Sequence, residues 1–146
     1  MRIIKTAGLL LGVIAALVAA YLSISYAHLS PSVRAKERLL ASALRKAGYQ
    51  PRYWLISGYR PPWLNRLMPL SAKKSSHQQG LAIDIWVGDI NRDGKWTDAD
   101  VQIVARLLDK LDQTNPASQG GLGLYHKSAP RMVHFDVSGK HRHWDY

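Results

Sequence analysis

The chain opens with a long apolar stretch. Arg2 and Lys5 precede residues 6–33, which carry no formal charge with His28 taken as neutral. Residues 6–27 would extend about 33 Å as a helix, enough to cross a bilayer. A positive start before an apolar run is typical of a secretory signal peptide or an uncleaved signal anchor. Ser25-Tyr26-Ala27 offers small residues to a signal peptidase, so both alternatives stay open, and both send the rest of the chain out of the cytoplasm.

Residues 31–146 alternate helical and strand patterns. Apolar residues recur at helical spacing between a start signal at Ser30-Pro31-Ser32 and a stop at Gly48, and again over 101–111, which predicts two amphipathic helices. Three segments predict strands: 53–57, 81–87 and 132–137. Two segments predict irregular structure: a rigid loop at 60–63 and a flexible or tightly turned connection at 120–123. This mixed order predicts an α+β domain preceded by an apolar helix over residues 1–30.

Composition narrows the available chemistry. The 146 residues contain no cysteine, which excludes disulfides, zinc–thiolate sites and thiol nucleophiles. Lys and Arg number 20 against 10 acidic residues, a net charge of +10. Glu37 is the one glutamate, so aspartates and histidines must supply any acid–base or metal chemistry. The charge favours an anionic partner, and export makes a cell-wall polymer or acidic lipid a better partner than nucleic acid.

Polar residues inside predicted strands are the candidate functional residues. Asp84 interrupts an apolar strand, and a buried carboxylate costs several kcal/mol unless it is paired or bound to metal. His77 lies seven residues earlier, while His134 and Asp136 share one face of another strand. Two imidazoles and a carboxylate would leave a fourth zinc position open for water, as in catalytic sites. From spacing alone, ordinary hydrogen-bonded residues remain the alternative.

Four sequence elements carry a resemblance to a known family. They are Ser57-Gly58-Tyr59-Arg60-Pro61, the segment Ser76-His77-Gln78-Gln79-Gly80-Leu81-Ala82-Ile83-Asp84, Gly121-Leu122-Gly123-Leu124-Tyr125, and Val133-His134-Phe135-Asp136 with Trp144 near the end. In this order they resemble the D-Ala-D-Ala carboxypeptidase-like zinc peptidases, which include murein endopeptidases and share a fold with the hedgehog signalling domain. The resemblance runs from about Leu39 to Trp144. It implies a small antiparallel sheet with flanking helices, and zinc-dependent cleavage of peptidoglycan stem or cross-link peptides outside the cytoplasmic membrane.

The resemblance also implies roles for individual residues. His77, Asp84 and His134 would bind zinc. Tyr59, Arg60 and Ser76 would contact substrate, with Arg60 facing the developing oxyanion or, alternatively, stabilising its loop. Many relatives carry an acidic general base three residues before the last histidine ligand, where this chain has Arg131.

Because Arg131 takes the place of this acidic residue, the identity of the proton acceptor stays open. Asp136 is the nearest substitute, either as base or as the residue that orients His134. Three further candidates are His126, His141 and His143. Without a base, the domain would be a zinc-containing module that binds a wall peptide or a partner protein without cleaving it.

Residues 89–100 match the twelve-residue EF-hand pattern and resemble dockerin calcium loops. The expected calcium ligands are Asp89, Asn91, Asp93, the Lys95 carbonyl and Asp100. Such a loop would stabilise the strand that carries Asp84, and Trp96 would pack inward. An acidic turn that caps the next helix is the alternative. The sequence therefore predicts zinc, and calcium in addition, in a periplasmic or wall-associated domain that is membrane-anchored or secreted.

Overall fold

The computed structural model describes residues 2–68 and 71–145. Its helices are α1 (Arg2–Ala27), α2 (Pro31–Lys46), α3 (Pro62–Leu67) and α4 (Asp98–Thr114). Its strands are β1 (Tyr53–Ser57), β2 (Ala82–Val87), β3 (Gly121–Leu124), β4 (Met132–Asp136) and β5 (Arg142–Asp145). Short 3-10 turns cover Ser76–Gln79 and Pro116–Ser118. The predicted α+β class, with an N-terminal apolar helix, is confirmed.

The five strands form one sheet in the order β1-β2-β4-β3-β5. The pairs β1–β2, β2–β4 and β3–β4 are antiparallel, whereas β3 and β5 run parallel. The sheet is therefore mixed, and the expectation of a purely antiparallel sheet is corrected at this one edge. After β4 the chain reverses direction and crosses the end of β3, so β5 is antiparallel to β4 and parallel to β3, its neighbour in the sheet.

One face of the sheet is closed by helices and the other is open. Ile83, Ile85 and Phe135 are at most 1% exposed on the closed face, where they pack with α2 and α4. Successive residues of a strand point to opposite faces. The neighbours of these core residues, Asp84 and His134, therefore point to the open face.

Two segments predicted as irregular form regular elements. Pro62 occupies the first turn of α3, where its missing N–H leaves no hydrogen bond unmade, so the predicted rigid loop continues into a short helix. The predicted connection at 120–123 contributes β3. Gly121 and Gly123 are required there because a Cβ atom at either would collide with the Trp144 ring on β5.

A buried ion pair lies beneath the sheet. Lys36 of α2 and Asp112 of α4 are 1% and 2% exposed, and Nζ lies 2.6 Å from Asp112 Oδ1. The same Nζ donates to the main-chain carbonyl of Asp136 at 3.0 Å. A buried charge is tolerated only when paired and hydrogen-bonded. The pair therefore fastens both helices to the end of β4.

Within the described residues, α1 is the one helix long and apolar enough to cross a membrane. Its stretch Gly8–Ala27 has a mean hydropathy of 2.2. Most of this stretch is exposed, including Leu9, Leu11 and Leu17, but Ser25 in its last turn is buried. Three residues then lead directly into α2.

Candidate metal centre

The three predicted zinc ligands meet on the open face of the sheet. His134 Nδ1 lies 2.8 Å from Asp84 Oδ1, and His77 Nε2 lies 3.2 Å from both Asp84 Oδ1 and His134 Nδ1. All three side chains are buried. Residues separated by 57 positions thus present one donor atom each to a common point.

Local sequence explains how each ligand is placed. Ser75 starts the turn that carries His77 by accepting the His77 N–H at 3.3 Å. Gly80 ends that turn with a φ of 66°, a conformation that favours glycine, and the chain enters β2. Asp84 on β2 is then paired directly with His134 on β4, so their side chains share one face.

Contacts behind the ligands orient each donor atom. His77 Nδ1 lies 2.6 Å from the Gly58 carbonyl, to which it donates, leaving the Nε2 lone pair toward Asp84 and His134. His134 Nε2 lies 3.4 Å from Asp136 Oδ2. Arg60 Nη2 donates to Asp84 Oδ2 at 3.3 Å. A carbonyl or carboxylate on the far nitrogen of a ligand histidine is a regular feature of metal sites.

Contacts within the site shift the pKa values of Asp84 and His134. Burial alone would raise the pKa of the Asp84 carboxyl, but the His77 and His134 imidazoles outweigh it and hold that pKa well below its usual range. Burial would lower the pKa of His134, but hydrogen bonds to Asp136 and Asp84 outweigh it and raise that pKa. Asp84 is therefore ionised, and a metal at this site would bind the unprotonated form of His134.

The donors fit a zinc ion. Their separations of 2.8–3.2 Å approach the roughly 3.3 Å between ligands of tetrahedral zinc. The three ligands line an open cavity of about 500 Å³, which leaves room for water and substrate. Among the described residues, one other group of three His or acidic side chains has its donor atoms within 4.8 Å of one another: Asp109, His141 and His143, at the surface.

Asp136 is buried behind His134, where both of its carboxylate oxygens accept hydrogen bonds. Its Oδ1 accepts the Gly121 and Ser138 N–H groups at 2.8 and 2.9 Å. Its Oδ2 accepts from Ser76 and Arg142 at 3.3 Å. Burial alone would raise the pKa of Asp136, but the hydrogen bonds from His134 and from Gly121 outweigh it and hold that pKa below its usual range. This placement suits orientation of His134 better than proton uptake.

Of the three residues expected to contact substrate, Arg60 and Ser76 line the cavity. Arg60 is 7% exposed and bonds Ser57 Oγ at 3.2 Å besides Asp84, yet it still lines the cavity. Ser76 lines it as well. Tyr59 is not among the residues that line the cavity, and its ring stacks on that of His28, with the ring centroids 5.1 Å apart, beside the end of α1.

Strand β5 supplies three cavity residues: His143, a predicted candidate for the proton acceptor, Trp144, which is part of the resemblance, and Arg142, which sequence reasoning missed. Arg142, His143 and Trp144 all line the cavity, and the Trp144 ring lies 5.0 Å from that of His134. Arg142 and Trp144 stand opposite Gly121 and Gly123 in the β3–β5 register. The spacing of Gly-x-Gly in β3 and of Arg-x-Trp in β5 could have predicted this contact. That spacing is informative only once the two segments are known to pair.

Two other candidate positions lie outside the cavity. The Arg131 guanidinium covers the rings of Trp86 and Trp96 at 5.6 and 5.3 Å. Trp96 is 52% exposed, so the expectation that it packs inward is wrong: it pairs with Trp54 on the surface.

His126 bonds Asp98 and Asp145 at 2.7 Å each, and these two carboxylates raise its pKa.

The loop at 89–100 turns at Gly94, and among the described residues no three of its acidic side chains bring their oxygens within 4.8 Å of one another. Gly94 has a φ of 78°, and its N–H donates to Asp89 Oδ2 at 3.2 Å. Asp100 accepts the N–H groups of Ile90, Asn91 and Thr97, so it closes the loop and caps α4. Asp89 Oδ1 is buried without a hydrogen-bond partner.

The fold and the site agree with the class of protein that the sequence resembles. A His–Asp–His cluster lies on two antiparallel strands and an adjoining turn beside a cavity, and these are the three residues that the resemblance to the D-Ala-D-Ala carboxypeptidase-like peptidases implies as zinc ligands.

The particular family follows from comparison with known proteins. A family model described as Peptidoglycan L,D-endopeptidase MepK matches residues 37–144, and the chain belongs to this family. No curated protein and no solved structure matches the chain. Membership in this family makes the chain a peptidoglycan-cleaving peptidase that works outside the cytoplasm.

The lowered pKa values predict how the metal-free protein responds to acid. Asp136 contributes stability that is fully present above the unfolded-state pKa of about 3.9 and is lost as the pH falls toward its lower folded-state pKa. Between about pH 5 and pH 3, the unfolding free energy of Asp136→Asn should therefore decrease less than that of the wild type. The measurement is urea unfolding of the full chain in mild detergent with a chelator. Asp93→Asn, in an exposed loop, should keep the wild-type slope, and equal slopes for all three proteins would contradict the assignment.

Proposed function

We propose that this chain is a zinc-dependent endopeptidase that cleaves L,D peptide bonds in peptidoglycan. The observation that carries the proposal is the convergence of His77, Asp84 and His134 on one wall of an open cavity. The family description supports the bond type and the endopeptidase activity. A D,D-carboxypeptidase, which the sequence resemblance equally allows, is the alternative that product analysis separates.

The donor atoms that would hold zinc are His77 Nε2, Asp84 Oδ1 and His134 Nδ1. Zinc bound there supplies a Lewis acid that polarises the scissile carbonyl and lowers the pKa of water. Asp136 and the Gly58 carbonyl keep the two imidazoles in the correct tautomer and orientation.

Two arginines at the cavity have different roles. The buried Arg60 guanidinium donates hydrogen bonds to Asp84 and Ser57, so we assign Arg60 to orienting Asp84. The Arg142 side chain is 51% exposed at the cavity wall while Nη2 contacts Asp136. We assign Arg142 to the substrate, either at the developing oxyanion or at a carboxylate of the stem peptide.

We propose His143 as the proton acceptor, since Asp136 already accepts hydrogen bonds on both oxygens. His143 lines the rim of the cavity, and its Nε2 lies 2.6 Å from Asp109 Oδ1 on α4. It alternates along β5 with Arg142 and Trp144, so its ring must turn from Asp109 toward the metal centre to act as a base. Histidine is the side chain that most often serves as general acid or base in enzymes.

Muropeptide digestion tests the activity and identifies the bond. The zinc-loaded full chain in mild detergent should cleave purified muropeptides at an L,D bond, with products identified by mass spectrometry. Cleavage should stop with a chelator, return with zinc, and fall to background in His77→Ala, because a ligand is lost. His126→Ala, a histidine outside the cavity, should retain activity. Binding of wall peptides without turnover by the zinc-loaded protein would contradict the proposal and favour the binding module.

Comparison of two variants tests the proton acceptor. His143→Gln should lower kcat by about 10²–10⁴-fold and change the pH–rate profile while zinc content stays at the wild-type level. Asp136→Asn should instead weaken zinc affinity, by about 10–100-fold, because it supports a ligand. His141→Gln, an exposed neighbour in the same tail, is the matched control. A wild-type kcat in His143→Gln would remove His143 from this role.

We also propose that the loop at 89–100 binds calcium as a stabilising ion. The buried Asp89 Oδ1 without a hydrogen-bond partner favours this hypothesis. Calcium would draw on Asp89, Asn91, Asp93 and the Lys95 carbonyl, and on Asp100 if its carboxylate turns from the loop amides.

Thermal unfolding with and without calcium tests the loop. Millimolar calcium should raise the melting temperature of the zinc-loaded chain by several degrees, since an ion that binds the folded state stabilises it. Asp93→Asn should remove most of this rise, and Asp98→Asn, outside the expected ligand positions, should keep it. A melting temperature that calcium leaves unchanged would identify the loop as a helix-capping turn.

A further inference from the structure

The last turn of α1 is built into the peptidase domain. Ser25 is 1% exposed and Leu29, just beyond the helix, is 4% exposed, whereas Leu17 and Ile24 are more than half exposed. A cleavable signal peptide needs no contacts with the domain that follows it. The burial of Ser25 therefore calls for a structural reason.

Ser25 is hydrogen-bonded to the main chain of Gly58 and Tyr59, just before Arg60. Its hydroxyl donates to the Tyr59 carbonyl at 2.8 Å and accepts the Gly58 N–H at 2.9 Å. Its main-chain carbonyl accepts the Tyr59 N–H at 3.2 Å. A Cβ atom at Gly58 would come within 3.1 Å of both Ser25 Oγ and Leu29, so glycine permits this close approach.

The same glycine reaches the metal centre. The Gly58 carbonyl lies 2.6 Å from His77 Nδ1 and so fixes the orientation of that ligand. Ser25 holds Gly58 through its N–H, and Gly58 holds His77 through its C=O. Two hydrogen bonds thus connect the end of the apolar helix with a predicted zinc ligand.

The residues after α1 pack against the other side of the same turn. The Ser30 N–H donates to the Gly80 carbonyl at 2.8 Å. A Cβ atom at Gly80 would collide with the His28 carbonyl, so the chain passes directly over the end of the His77 turn. The segment 25–30 therefore supports His77 from both sides.

We propose that α1 stays attached after export as a bilayer anchor, and that Ser25 in its last turn is a positioning residue for His77. The zinc part of this inference rests on the proposed function. The occupant of the exposed apolar surface of α1 is the lipid bilayer, because Gly8–Ala27 has the length and the mean hydropathy, 2.2, of a membrane span. Cleavage after Ala27 would remove Ser25 and its three hydrogen bonds.

The inference restricts where the peptidase works. Only residues 28–30 separate α1 from α2, and they are packed rather than free to act as a linker. The metal centre is therefore held next to the outer surface of the cytoplasmic membrane. Its substrates are the peptidoglycan peptides presented in the layer nearest that surface.

The first experiment measures whether α1 is retained. The full chain is expressed in a bacterial host with a native export pathway, and the membrane and soluble fractions are analysed by intact mass spectrometry. The protein should be found in the membrane fraction with residues 1–27 present and should resist extraction by carbonate. A soluble chain that begins at His28 would overturn the anchor.

The second experiment measures the positioning role as zinc affinity. In the full chain in mild detergent, Ser25→Ala should raise the zinc dissociation constant several-fold in competition with a chelator, and Ser25→Thr should restore part of it. Ser23→Ala, an exposed serine of the same helix, should have no effect. If Ser25→Ala does not fold, Ser25→Cys supplies a weaker hydrogen bond for the same measurement. Unchanged zinc affinity with only a lower melting temperature would overturn the positioning role.

The two proposals fail separately. If the protein cleaves no peptidoglycan, but Ser25→Ala still weakens zinc binding, the proposed activity fails and the link from α1 to His77 stands. If cleavage is observed and zinc affinity does not depend on Ser25, the link fails and the activity stands.

Discussion

The register between β2 and β4 is the constraint on which the candidate metal centre depends. It places Asp84 opposite His134, and Ile83 opposite Phe135 on the other face. Because side chains alternate along a strand, a slip of one residue would move both ligands into the core and expose the apolar residues. The hydrophobic core therefore selects the register, and the register sets the geometry of the ligands.

Every charge buried at the site is paired with another group. Asp84 lies between two imidazoles and Arg60, and Asp136 lies between His134 and Arg142. Beneath them, Lys36 joins α2 to Asp112 and to the end of β4. A buried charge that loses its partner is strongly destabilising, so these contacts support one another. Their combined effect is a site that is organised before substrate arrives, which is the condition for electrostatic catalysis.

The apolar helix and the catalytic domain form one structural unit. In many exported proteins a flexible linker separates an anchor from the domain it carries, and the linker sets the reach of the domain. Here Ser25 and Ser30 contact the segments around Gly58 and Gly80, which flank His77. The orientation of the cavity relative to the apolar helix is therefore a property of the fold.

The sequence alone determined the α+β class, both amphipathic helices and three strands, and it singled out His77, Asp84 and His134 as candidate zinc ligands, because periodicity and motif spacing are local. It did not reveal β5, whose basic residues show no strand pattern, or the roles of Arg142, Lys36 and Ser25. Each of those roles depends on a partner far along the chain: Ser25 contacts Gly58, and Lys36 reaches Asp136, 100 residues away. Only tertiary structure could decide them, because a hydrogen bond between distant segments leaves no periodic trace in either segment.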